Sequence, residues 1–289
     1  MANKKYCSPL ADSSGKTCLP IPLLKEIDTL VNAKAQSVKA QSAKAQSVKI
    51  LNKLKKHYNK KCKSNNTDSC WIEQPEIKGS PLYPVLKKYF RPLKPTSWNT
   101  NPRKWLNNFD IAAVLKQYEQ KYTDFKFLGV FPIDFHSNKV CSIYNMCQID
   151  VADLIKQKIT RFGLVLNLDA HGQPGSHWVS MFCNLDPNSI QYGLAYFDSG
   201  GTYSLPKDVQ LFGRDIKTQV DDKKFKLYKN KVTKQFQNTE CGIFSIMFIH
   251  LCILNKNAFY TKIVEMIPHD RNDDGIYRLR NEFYRPENK

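Results

Sequence analysis

The sequence predicts an α+β domain behind a basic helical region, and three observations carry that prediction. Short apolar runs rich in β-branched and aromatic residues fall at 162–168, 178–185 and 191–197, and the Gly/Pro-containing turn 169–176 separates the first two. A stretch of helix length, 242–254, apolar except for Ser245 and His250, follows them, and a helix apolar almost all round belongs inside a domain. Before residue 92 the pattern is lysine-rich and amphipathic. A buried helix packed against a sheet is the arrangement these pieces allow.

Element by element, 21–30 and 50–58 space their apolar residues as amphipathic helices, and 81–84 with 85–90 reads as a turn and a short helix. Between them the unit Lys-Ala-Gln-Ser-Val/Ala recurs from Lys34 at a period of five, within 34–49. Its composition favours helix, yet a five-residue period precesses round the axis and leaves no lasting apolar stripe. It reads as an exposed helix or a flexible expansion. Pro92, Pro95 and Pro102 make 91–102 the best linker, so the expected domains are a basic helical arm, 1–92, and a second domain, 93–289. Beyond the linker, 105–122 reads as a helix with Asn108 or Asp110 as its start signal. Ile111, Val114, Leu115 and Tyr118 fall on one face.

The 289 residues carry 44 Lys+Arg against 26 Asp+Glu, a net charge of +18. Residues 1–92 hold 18 basic and 6 acidic side chains, so +12 of that charge lies in the arm. Such a field favours salt-sensitive contact with nucleic acid or acidic protein surfaces, although lysine runs also serve simply as solvated faces. No stretch reaches the roughly 18 uncharged apolar residues that cross a bilayer. The nine cysteines are odd in number and show no paired C-x-x-C knuckles. The expectation is a protein of a reducing compartment with free thiols throughout, no disulfides and no structural metal.

The chemistry starts from Cys241, within Thr239-Glu240-Cys241-Gly242 at the head of the apolar helix. A thiol at a helix start beside an imidazolium is drawn toward thiolate, though a lone cysteine there is equally a small core residue. Cys252, about 16 Å further along the helix, and Cys183, inside a strand pattern, read as core. Of six histidines, His250 lies on the far side of the same helix, about 13 Å along it, and cannot reach the sulfur. His57 belongs to the lysine-rich region, and His136 and His269 fall near loops without a matching partner. His171 and His177 remain, and His177 is favoured because it heads a strand whose backbone fixes its direction. Asp198, at the end of the next strand, is placed either to orient that imidazole or to cap the turn Ser199-Gly200-Gly201. Gln235 and Gln237 both stand close enough in sequence to offer an amide to an oxyanion, together with the Cys241 backbone N–H.

The order His177-Trp178, Asp198, Gln235, Cys241-Gly242 resembles the SUMO-deconjugating and adenovirus-protease superfamily of cysteine peptidases. Within it the chain is most similar to the polyprotein-processing proteases of African swine fever virus and other large DNA viruses. The similarity extends to Ser69-Cys70-Trp71-Ile72-Glu73-Gln74-Pro75, Leu106-Asn-Asn-Phe109-Asp110-Ile111, Lys121-Tyr122-Thr123 and Asp274-Gly-Ile-Tyr277-Arg-Leu-Arg280. It thins over the five-residue repeat, which looks like an insertion.

The resemblance implies a cysteine endopeptidase needing neither cofactor nor metal. Cys241 would be the nucleophile, His177 the base, Asp198 its orienting group and Gln235 an oxyanion donor. The swine virus enzyme carries Asn where this chain has Asp198, whereas SUMO proteases carry Asp. It further implies cleavage of viral structural polyproteins at Gly-Gly-Xaa sites during virion maturation, in the host cytoplasm and the virion. Trp178 would roof a channel that admits only residues lacking Cβ, or else is core packing. Deconjugation of ubiquitin-like proteins, which share a Gly-Gly terminus, and a basic nucleic-acid-binding virion protein are the other classes left open.

Overall fold

The computed structural model describes residues 6–11, 17–31, 43–63, 67–137, 139–146, 149–202 and 204–287. The chain divides into two compact units, one formed by residues 1–94 with 281–289, the other by 95–280.

In the first unit, helices α1 (Ile21–Val31) and α2 (Ala43–Cys62) are followed by three single-turn helices, Asp68–Trp71, Pro75–Lys78 and Tyr83–Lys87. Most of the five-residue repeat lies outside the described residues, and α2 begins within it. Leu24, Ile27, Leu54, Tyr58 and Trp71 form a small core, with the Tyr58 and Trp71 rings stacked. Disulfides Cys7–Cys18 and Cys62–Cys70 staple it, and Cys141 of the second unit is disulfide-bonded as well. This corrects the expectation of free thiols throughout: among the described residues, Cys183, Cys241 and Cys252 are the free ones. A small unit has too little interior to be held by burial alone, and crosslinks make up the difference. The C-terminal segment, assigned to the second domain by sequence, belongs here instead. Arg285, 2% exposed, donates to Glu73 at 2.5 Å and to the Arg91 carbonyl at 2.9 Å, which ties the tail to the arm.

The second unit is α+β. Helix α3 (Asn108–Lys121) opens on a capping box in which Asn107 Oδ1 accepts from the Asp110 N–H and Asp110 accepts from the Asn107 N–H. Strands β1 (Phe125–Pro132), β2 (Arg161–Asn167), β3 (Trp178–Asn184), β4 (Gly193–Phe197) and β5 (Lys226–Lys229) form one sheet in sequence order. The inner pairs β2–β3 and β3–β4 are antiparallel, whereas β1–β2 and β4–β5 are parallel. Parallel neighbours need a crossover. Helix α4 (Val151–Lys156) lies on the first and α5 (Lys207–Val220) on the second.

Alternation along the strands gives the sheet two apolar faces. Phe162, Leu164 and Leu166 cluster with Val209, Phe212 and Ile216 of α5. On the other face lies α6 (Cys241–Leu254): a Cβ on Gly163 would stand 3.3 Å from Ile249, and Phe197 stacks on Phe248. Eleven of its 14 residues are buried, which explains a sequence apolar on every side. Helix α7 (Tyr260–Met266) packs beside it. Among the described residues, no helix is long and apolar enough to cross a membrane.

Candidate active site

Strand register brings the first two site residues together. Ser180 pairs with Phe197 across β3 and β4, so the start of β3 meets the end of β4. His177 sits one residue before β3 and Asp198 one residue after β4. His177 Nε2 lies 2.8 Å from Asp198 Oδ1, with the two side chains 25% and 13% exposed. The other ring nitrogen, Nδ1, is thereby left open, and the Cys241 thiol is near enough to act on the charge of the ring. Burial disfavours the charged ring, but the hydrogen bond to Asp198 and the neighbouring Cys241 and Asp198 outweigh it. The His177 pKa rises from its ordinary 6.5 to about 9.

Asp198 is itself held. Its Oδ1 accepts from the Gly200 N–H at 2.8 Å, so it both caps the glycine turn and orients the imidazole. Asn230 grips its backbone on both sides: Asn230 Oδ1 accepts from the Asp198 N–H at 2.9 Å, and Nδ2 donates to the Asp198 carbonyl at 2.8 Å.

Cys241 is the first residue of α6 and is 1% exposed. No side chain caps this helix, so its first N–H groups, which lack intrahelical acceptors, are not consumed by a cap. The preceding Glu240, fully buried, spends its carboxylate elsewhere. Arg280 Nε donates to Glu240 Oε2 at 2.7 Å, and Arg103 lies 3.6 Å from Oε1. Arg280 also donates to the backbone carbonyls of Lys104 and Thr239 and stacks on Trp98. The helix start is thus anchored by a buried ion pair rather than by a cap. After the cysteine, a Cβ on Gly242 would stand 3.1 Å from Leu106 Cδ1 and 3.4 Å from Trp178 Cδ1, so only glycine fits without displacement.

Trp178 is 9% exposed and donates from Nε1 to the Leu106 carbonyl at 3.0 Å. It is therefore packed, yet it also lines a cleft of about 620 Å³ together with Leu106, Asn107, Asn167, His171 and Gly175. Packing and cleft wall are two faces of the same indole. Gln235 accepts from Ser199 Oγ at 2.6 Å and donates from Nε2 to the Gln237 carbonyl. Gln237 instead sends its own amide to the Arg271 carbonyl at 3.0 Å.

No family model matches the chain. A candidate thiol protease of Acanthamoeba polyphaga mimivirus is 30% identical to it over 206 residues, 69% of this chain and 64% of that protein. A cysteine protease of African swine fever virus is 28% identical over 242 residues, 76% of this chain and 83% of the relative. The crystal structure of an African swine fever virus protease superimposes with a TM-score of 0.68 at 21% identity, covering 99% of this chain and 98% of the other. The chain is similar to viral cysteine proteases. It spans a little under two thirds of the mimivirus protein's length.

The remaining histidines are engaged elsewhere. His250 Nδ1 meets Tyr118 OH between α6 and α3, His136 pairs with Asp215 at 2.6 Å, and His171 Nδ1 lies 3.0 Å from Tyr144 OH. His57 packs edge-on to Tyr58 and His269 against Phe236. Cys183 and Cys252 are fully buried, and burial pushes both thiols well above the ordinary cysteine range. Among the described residues there is no cluster of metal-ligating side chains.

Sequence reasoning missed Asn230, Ser199, Glu240, Arg280 and Asp273 as supports. Asp273, 1% exposed, accepts from the backbone N–H groups of Phe236 and Gln237, fixing the loop that carries Gln235. Arg280 ends the segment 274–280, and the resemblance of that segment to the viral proteases was the available signal.

Proposed function

We propose that the chain is a cysteine endopeptidase, and one observation carries this reading: a single imidazole is held on Asp198 through Nε2 and neighbours Cys241 at the head of a buried helix. In this mechanism the Cys241 thiolate attacks the scissile carbonyl carbon, forming a C–S bond while the carbonyl oxygen takes the charge. The raised His177 pKa means that the ring holds the proton near neutrality. It gives that proton to the amine as the C–N bond breaks. A water that returns its proton to His177 then attacks the thioester, and the thiolate leaves. Asp198 fixes the ring's orientation and stabilises the imidazolium. The Cys241 N–H and Gln235 Nε2 hold the oxyanion, the latter by exchanging its bond to the Gln237 carbonyl.

The substrates are viral structural polyproteins cut after Gly-Gly, during virion maturation in the host cytoplasm and the virion. The packed Trp178 beside Cys241-Gly242 supports a narrow channel in which a substrate Cβ would collide. The arm contributes sequence-independent contact with nucleic acid or acidic protein, supported by exposed Lys56, Lys60 and Lys63 on and just after α2.

Incubating the purified protein with the virus's own precursor, and mapping the products by mass spectrometry, tests this. Cuts after Gly-Gly that vanish in Cys241→Ala are expected. Identical cuts in Cys241→Ala would sink the assignment, and cleavage of a ubiquitin-like fusion with the precursor left intact would transfer it to deconjugation.

A further inference from the structure

A second cavity, of about 330 Å³, lies behind the sheet between β4, β5, α6 and α7, a volume at the lower end of small-molecule sites. Its walls are aromatic: Tyr196, Tyr228, Phe248 and Phe259 all face it, with the Phe259 ring edge-on to Tyr228 at 4.9 Å. Two lysines join that lining, Lys229 from β5 and the more deeply buried Lys234. Lys234 is 7% exposed, and its Nζ has a single, long hydrogen bond, 3.4 Å to the Ile267 carbonyl. None of the ion pairs among the described residues includes it. Glu265, at the rim, is paired with Lys262 at 3.0 Å and is two-thirds exposed. Burial holds the Lys234 pKa below the usual lysine value, with Glu265 opposing weakly. A buried ammonium without a carboxylate is costly, and an anion delivered with a ligand would relieve that cost.

We propose that this cavity binds a small aromatic carboxylate, its ring among Tyr196, Tyr228, Phe248 and Phe259 and its carboxylate on Lys234, and that occupancy is felt at the catalytic pair. The connection is short. Asn230 lines the cavity and grips the Asp198 backbone on both sides, while the N–H groups of Lys234 and Gln235 share the Ser199 carbonyl at 2.7 and 2.9 Å. The loop 230–235 therefore touches the ligand with one end of its residues and supports Asp198 and Gln235 with the other. A ligand that binds the ordered loop better than a loosened one shifts turnover by that difference in affinity.

The probes are 2-naphthoate and its neutral isostere 2-naphthamide, titrated into the full chain by calorimetry and ligand-observed NMR. The acid is expected to bind saturably, about tenfold tighter than the amide. Lys234→Met should erase that preference while leaving amide binding in place, and Val264→Trp, which fills the cavity, should abolish both. Peptide cleavage should change with the same concentration dependence as binding in the wild-type chain and not in Val264→Trp. Absence of saturable naphthoate binding to the wild-type chain, equal binding of acid and amide, or a preference that survives in Lys234→Met would each overturn the proposal. Because binding is read without substrate, failure of the protease assignment would leave this result intact.

Discussion

Glu240 and Arg280 form an ion pair out of reach of solvent, with side chains 0% and 2% exposed and Nε 2.7 Å from Oε2, immediately before the candidate nucleophile. The pair joins the residue just before α6 to the last residue of the second unit's chain segment. Removing one partner strands a buried charge. Glu240→Ala is expected to cost about 3 to 5 kcal/mol in denaturant unfolding, and to lower peptide turnover more than binding, because Cys241 rides on the loosened helix start. A loss below about 1 kcal/mol would mean that water already screens the pair.

The Asp198–His177 bond makes a pH prediction. Because the His177 pKa is raised in the folded chain, the protonated ring is the favoured form. Its stabilisation is complete below pH 6.5 and is lost as the pH climbs to about 9. Turnover should therefore fall on an alkaline limb near pH 9. In Asp198→Asn that limb should move toward neutrality, and the stability difference from the wild-type chain should be largest at acid pH and shrink above the limb. Ring-proton titration by NMR reads the His177 value directly, and an unmoved limb would remove Asp198 from the relay. His177→Ala should lower turnover by orders of magnitude, more than Asp198→Asn, since the amide keeps an acceptor for the ring.

Gly242→Ala tests the fit behind the thiol. Its new Cβ meets Leu106 and Trp178, and overpacking of this kind costs about 1 to 3 kcal/mol. Trp178 lines the cleft, so KM for a Gly-Gly peptide should rise along with the loss of stability. Pairing it with Leu106→Ala should recover part of both; additivity of the two losses would show that they do not share this contact.

Thiol labelling separates Cys241 from the buried free thiols Cys183 and Cys252. Iodoacetamide should modify Cys241 and leave Cys183 and Cys252 intact in the native chain, since burial suppresses their thiolates. Peptide mapping after a timed pulse reads this. Labelling of Cys252 at the rate of Cys241 would contradict the packing of α6.

The inner strands β2, β3 and β4 and the buried helix were legible because each writes its burial into a mostly apolar run. The edges were not. In β1 the register slips between Phe127 and Gly129, with Gly129 at φ 140°, so the period of two is broken where it would have been read. In β5, Lys-Leu-Tyr-Lys, both lysines and the half-exposed surface hide the strand. The site divides in the same way. His177, Asp198 and Cys241 announce themselves by chemistry and by order along the chain. Asn230, Asp273 and Arg280 act through loop backbone and buried charge, and their partners are 32 to 41 residues or more away. Whether Gln235 or Gln237 faces an oxyanion was open in the sequence, and the structure distinguishes them only by what each amide now holds.

The disulfides carry a practical consequence. Thiol proteases are kept active with reducing agents, and a reductant strong enough to protect Cys241 also attacks Cys7–Cys18 and Cys62–Cys70. Buffer choice thus sets two dials at once, nucleophile survival and arm integrity. A preparation at peak peptidase activity and one with a fully crosslinked arm are different samples, and any role measured for the arm will depend on which of them was in the tube.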